Sequence, residues 1–168
     1  MAIKYIYIIE GQTDAKLVKH LSSTSRIPSG KRKIFNLWEQ NVRNLLRTFS
    51  RKDNHIYIVF DTDVLENIGR FNKNIKQLSL DKSVKTITLL QQTNNLEDEL
   101  VRCCNCQMRA LFDSFAAEGV SQFKRKFLKV TNLNAKLSDL GFNYENLWSQ
   151  DLKPIILWPD NKKEEWRW

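Results

Sequence analysis

Apolar residues along this chain recur in two rhythms. Residues 3–9 and 56–60 are short, dense runs of Ile, Tyr, Val and Phe, broken only by Lys4, as in strands buried on both faces. Residues 84–90 alternate Val84, Thr86 and Thr88 with Lys85, Ile87 and Leu89, and their β-branched content predicts another strand. Between these runs the apolar spacing lengthens. Ala15, Leu17, Val18 and Leu21 predict a helix over 14–21. Val42, Leu45, Leu46 and Phe49 predict one over 39–50, and Ile68, Phe71, Ile75 and Leu78 one over 65–78. A short strand fits 33–37, whereas 22–33, with its serines, Pro28, Gly30 and basic residues, predicts an exposed loop.

Strands alternating with helices imply parallel pairing through right-handed crossovers. The expected class is therefore α/β: a Rossmann-like parallel sheet of about four strands flanked by helices. From Leu96 onward the pattern becomes helical, over 96–104, 108–117, 121–127 and 132–140, the last stopped by Gly141. An irregular tail carrying Trp148, Pro154, Trp158, Pro159, Trp166 and Trp168 closes the chain. The expected division is a core over 1–104 and a helical extension with a Trp-rich tail over 105–168, packing on the core or on a partner.

Composition narrows the function classes. With 168 residues the chain can bury a substantial core. Its 27 Lys and Arg against 19 Asp and Glu give a net charge of +8, which favours phosphate backbones or acidic surfaces. No apolar stretch approaches the roughly 20 residues of a membrane span, and the N-terminus lacks the shape of a secretion signal. A cytoplasmic location is expected. Cys103, Cys104 and Cys106 are too few and too close for a disulfide framework. With only His20 and His55 to complete a thiolate metal site, they read as small apolar residues on a partly buried helix.

Against this basic background, two acidic motifs follow strand-like runs: Glu10-Gly11-Gln12-Thr13-Asp14 and Asp61-Thr62-Asp63. Ligands of open parallel sheets bind beyond the carboxyl ends of the strands, which puts Glu10, Asp61 and Asp63 on the functional edge. Asp61 and Asp63 point the same way in extended chain and could hold hard cations through oxygen, with substrate phosphate completing the shell. Asp14 is either part of that chemistry or a first-turn acid favoured by the helix dipole.

These motifs resemble the strand-Glu-Gly-x-x-Asp and strand-Asp-x-Asp motifs of the Toprim domain, a likeness running over residues 3–104. The resemblance implies a compact sheet with helices on both sides and a Mg²⁺- or Mn²⁺-dependent phosphodiester site. In it Glu10 would be general acid/base or metal ligand, and Asp61 and Asp63 would hold the metal. Topoisomerase-like members carry a further acid where this chain has Leu65, which moves the likeness away from strand passage and priming. Instead Asn95-Leu96-Glu97-Asp98-Glu99-Leu100 resembles a segment of nuclease-type Toprim proteins, such as the overcoming-lysogenization-defect class, in which a downstream acid completes the metal site. Glu97 is the choice for that acid, against its being one of three first-turn acids stabilised by the helix dipole.

The resemblance thus implies a metal-dependent endonuclease acting on DNA or RNA, in bacterial defence or a mobile element. It also admits a binding subunit of an ATPase complex without activity of its own, a 5S-rRNA-maturase-like enzyme, and a homo-oligomer. A more distant alternative is a phosphatase-type fold with Asp61 as nucleophile and no role for Glu10. Lys16, Lys19, Lys31, Arg32, Lys33, Lys124, Arg125 and Lys126 are the candidate phosphate-backbone contacts, set against solvated faces. The tryptophans could stack on bases, pack a core or dock a partner.

Overall fold

The computed structural model describes residues 4–49, 52–63 and 65–166. Ile3, Ser50 and Trp168, which carry parts of the expectations above, lie outside the described residues. Four strands, β1 (Lys4–Ile9), β2 (Lys31–Ile34), β3 (Asn54–Phe60) and β4 (Val84–Gln91), form one all-parallel sheet in the order β2-β1-β3-β4. The helices are α1 (Gln12–Ser23), α2 (Arg43–Leu46), α3 (Ile68–Leu80), α4 (Leu96–Cys104), α5 (Met108–Ser114), α6 (Val120–Lys129) and α7 (Leu133–Asp139). The protein is α/β and Rossmann-like, with further helices after the last strand. Among the described residues no helix is long and apolar enough to cross a membrane.

The two-residue period of the strands builds both layers at once. Tyr7, Ile9, Tyr57, Val59 and Leu90 face a core shared with α1 and α4–α7. Ile6, Ile8, Ile56, Ile58, Phe60, Ile87 and Leu89 face the opposite core, closed by α2, α3 and Ile156. Burying one such side chain contributes about 1.5–3 kcal/mol, so the uninterrupted apolar runs of β1 and β3 fix these strands at the sheet centre. The chain runs from β1 outward to β2, then returns to β3 on the other side of β1. That reversal leaves a crevice between the carboxyl ends of β1 and β3.

Two elements depart from the sequence reading. The 39–50 helix shrinks to the single turn Arg43–Leu46. Buried Asn74 on α3 takes over the backbone there: its side chain accepts from Val42 N at 3.1 Å and donates to the carbonyls of Leu37 and Gln40, each at 2.7 Å. The second strand starts at Lys31, not Lys33, so the basic run lies in an edge strand and not in a loop. Gly30 permits it: a Cβ there would meet the Tyr5 carbonyl oxygen at 2.6 Å. Gly30→Ala must push two backbones apart, and we expect a loss of about 1–3 kcal/mol in urea unfolding, the usual cost of overpacking.

The tail is not loose. Trp148 and Trp166 pack on the first core, and Ile156, Leu152 and Trp158 on the second. Its last part covers the free edge of β4, where Glu164 N and Trp158 Nε1 donate to Ile87 O at 3.0 and 3.3 Å. An edge so occupied offers less backbone for unwanted strand pairing.

Candidate active site

Four acids and a lysine meet at the crevice. Glu10 follows β1, Asp14 sits in the first turn of α1, Asp61 follows β3, Glu97 opens α4, and Lys124 reaches in from α6. Glu10 joins the two central strands: its Oε2 accepts from Asp61 N at 3.1 Å and its Oε1 from Asn36 Nδ2 at 3.3 Å. The Asp61–Asp63 turn is pinned from the segment after β4 and from the tail. Thr62 N and Asp63 N both donate to Asn94 O, Thr62 Oγ1 donates to Thr93 O at 2.9 Å, and Lys153 Nζ donates to Thr62 O at 2.8 Å. Asp14, only 5% exposed, accepts from Gln92 Nε2 at 2.6 Å.

Two carboxylate oxygens stand out by what they lack. Asp61 Oδ1 and Glu97 Oε1 are buried with no hydrogen-bond partner among the described residues. Lys124 Nζ lies 3.7 Å from Glu97 Oε1, an ion-pair distance too long for a hydrogen bond. A buried carboxylate oxygen without a donor is costly, and such sites signal a missing proton, ion or ligand.

The electrostatics agree. Burial pushes the Asp61 carboxyl up to about 9, helped by the charges of Asp14, Glu10 and Asp63 and opposed by Lys124. Asp14 rises to about 6, through burial against the Gln92 hydrogen bond. Burial also raises Glu10 and Glu97, opposed at Glu10 by the Asp61 N–H and at Glu97 by backbone hydrogen bonding and Lys124. These acids therefore hold protons more tightly folded than unfolded, and stability from them is complete below the ordinary carboxylate range and lost as pH rises through the folded values. We expect the melting temperature of metal-free protein to fall as pH climbs from about 4 towards 9, and added Mg²⁺ to reduce that fall.

The remaining candidates are placed as follows. Asp63 is exposed, on the rim next to Asp61. Lys16 is engaged elsewhere: its ammonium donates to Leu128 O at 2.8 Å and to Val130 O, capping the end of α6. Lys126 likewise donates to Ala116 O. Lys19 and Arg125 are exposed on α1 and α6, while Lys31, Arg32 and Lys33 lie on the edge strand β2, level with Ile6, Tyr7 and Ile8 of β1. Of the three α4 acids, Asp98 is occupied by Asn94 and Glu99 by five hydrogen bonds, leaving Glu97 as the one whose buried oxygen lacks a donor. Gln92 and Asn36 were not anticipated as site residues. The Gln91-Gln92 pair ending an apolar strand level with Phe60 was the available signal for Gln92. The cysteines are free, Cys103 and Cys104 being buried, with burial pushing the Cys104 thiol up to about 12.

The donor set is all oxygen, which suits a hard cation. Among the described residues no three His, Cys, Asp or Glu side chains form a ready cage. Mg²⁺ does not need one, since it is commonly held by one or two carboxylates plus waters and substrate phosphate. Asp61, with its unpartnered oxygen, fits that role, and Glu10 and Asp63 flank it. No protein-family model, curated protein or solved structure matches the chain.

Proposed function

We propose that this protein is a divalent-metal-dependent nuclease of Toprim type, hydrolysing phosphodiester bonds in DNA or RNA. The observation that carries the reading is the buried, donor-less oxygen of Asp61, at a sheet crevice crowded with three further carboxyls, on a chain of net charge +8. Asp61 and Asp63, with Glu10 and Glu97 beside them, are the residues that would hold Mg²⁺ or Mn²⁺. When bound, the ion would polarise the scissile phosphate and stabilise the leaving oxygen. Glu10, with its raised proton affinity and its anchor on Asp61 N, positions the attacking water and takes its proton. Lys124, the cation facing the acids, adds positive charge near the phosphate oxygens. A role in bacterial defence, with an ATPase as partner, belongs to the same proposal.

The test is a titration of Mg²⁺ and of Mn²⁺ against labelled single- and double-stranded DNA and RNA. Shorter products that appear only with metal are expected. Binding without cleavage across the whole panel overturns the nuclease reading in favour of a silent subunit. Full activity in a Glu10→Gln variant would instead favour an aspartyl-phosphate mechanism.

A further inference from the structure

A second charged cluster lies at the opposite end of the sheet. In the parallel pairing of β1 with β2, Ile6 is level with Lys31 and Ile8 with Lys33, and in that of β1 with β3, Lys4 is level with Asn54. Level residues point to the same face, so Lys4, Lys31 and Lys33 all project on the side of Ile6 and Ile8. α2 and α3 cover that face over the centre of the sheet but leave its β2 border open. There a cavity of about 410 Å³ is lined by the three lysines with Ser29, Gly30, Thr48 and Asn54.

No carboxylate lines this cavity, and none of the three lysines makes an ion pair among the described residues. Three like charges around one concavity repel one another unless an anion sits between them. Lysines on an edge strand also discourage strand pairing, but that role needs neither a shared face nor a cavity with hydroxyls at its wall. Lys31 is four residues before the Glu10 level and Lys33 two, ~13 and ~7 Å along the strand, and no acid of the crevice lines the cavity.

We infer that this cavity binds phosphate oxygens carrying two or more negative charges in total, either the di- or triphosphate of a free nucleotide or successive diesters of a nucleic-acid strand that also reaches the acidic edge. The second source rests on the nuclease reading, and the first does not. Its chemistry is charge-assisted hydrogen bonding from Lys4, Lys31 and Lys33, with Ser29 as a neutral donor.

The test measures affinity for inorganic pyrophosphate and, separately, for a short single-stranded DNA, both in EDTA so that no metal bridges ligand to the acids. Lys31→Ala/Lys33→Ala should weaken pyrophosphate binding at least about tenfold, the loss expected when charge-assisted contacts go. Arg32→Ala, on the same strand but the other face, should leave it unchanged. Asp61→Asn should also bind pyrophosphate normally, so the cavity stands even if the nuclease reading fails. Tight DNA binding that falls in parallel identifies a strand as the source, and pyrophosphate binding alone a nucleotide. Absence of pyrophosphate binding, or equal losses in the Arg32 and lysine variants, overturns the inference and leaves the lysines as protection of the sheet edge.

Discussion

Asp61→Asn is expected to raise the melting temperature of the metal-free protein while removing metal-dependent cleavage. The substitution keeps the shape of the side chain but removes an acid whose charged form is disfavoured by burial and three neighbouring carboxyls. Relief of such a functional strain commonly contributes about 0.5–2 kcal/mol. For a chain of this length that is roughly 1–8 °C in melting temperature. Cleavage should fall by at least about 10²- to 10³-fold, the scale on which one electrostatic stabiliser of a transition state acts. The two effects have opposite signs, which distinguishes a site residue from a structural one. The gap in melting temperature between wild type and variant should widen as pH rises from about 4 towards 9, because only in the wild type does folding require Asp61 to keep a proton that the unfolded chain releases. Differential scanning calorimetry across that range, beside a gel assay of the same preparations, checks both. A variant less stable than wild type at neutral pH would show that the Asp61 charge is satisfied in the fold.

The opposite pattern is expected two residues apart on α4. Glu99 is fully buried, and all its bonding capacity is used. Its Oε1 accepts from Trp148 N at 2.7 Å and Arg102 Nη2 at 2.6 Å, and its Oε2 from Thr93 N at 3.0 Å and Thr93 Oγ1 at 2.7 Å. Arg102 continues the network to Ser149 Oγ at 3.2 Å and to Asn146 O. This pair ties the 146–149 segment to α4 and holds Trp148 in a left-handed conformation, φ 56°, that a bulky residue seldom adopts unaided. Glu99→Ala strands Arg102 and several donors, and should cost about 3–5 kcal/mol. Glu97→Ala, equally buried but without that network, should cost far less and should lower cleavage instead. Urea midpoints and cleavage rates of the two variants separate the cases, and similar losses of stability in both would remove Glu97 from the site.

What could be read in advance follows from which forces act locally. β1 and β3 are buried on both faces, so their residues announce themselves as apolar runs. α4 was legible to the residue, Leu96–Cys104, because Asn95 caps it by accepting from Asp98 N at 3.1 Å and Asn105 ends it at φ 48°. The 39–50 helix was not legible, since the residue that prevents it, Asn74, lies more than thirty positions away. β2 was displaced because an edge strand needs little apolar content, and its start depends on a contact between Gly30 and Tyr5 that no local pattern carries. The same division holds for the site. Glu10, Asp14 and Asp61 follow from strand ends and a topological rule. That Lys124 would face Glu97, that Lys16 would cap α6, and that Gln92 would hold Asp14 are products of tertiary packing.

The central claim, that the carboxylate crevice is a hard-cation site, is tested most directly by titrating Mn²⁺ into wild type and Asp61→Asn while following free Mn²⁺ by electron paramagnetic resonance, with and without a short single-stranded oligonucleotide. Saturable binding by the wild type, tightened by the oligonucleotide and lost in Asp61→Asn, is the predicted result. Equal binding by the two proteins, or none by either in the presence of nucleic acid, would contradict it.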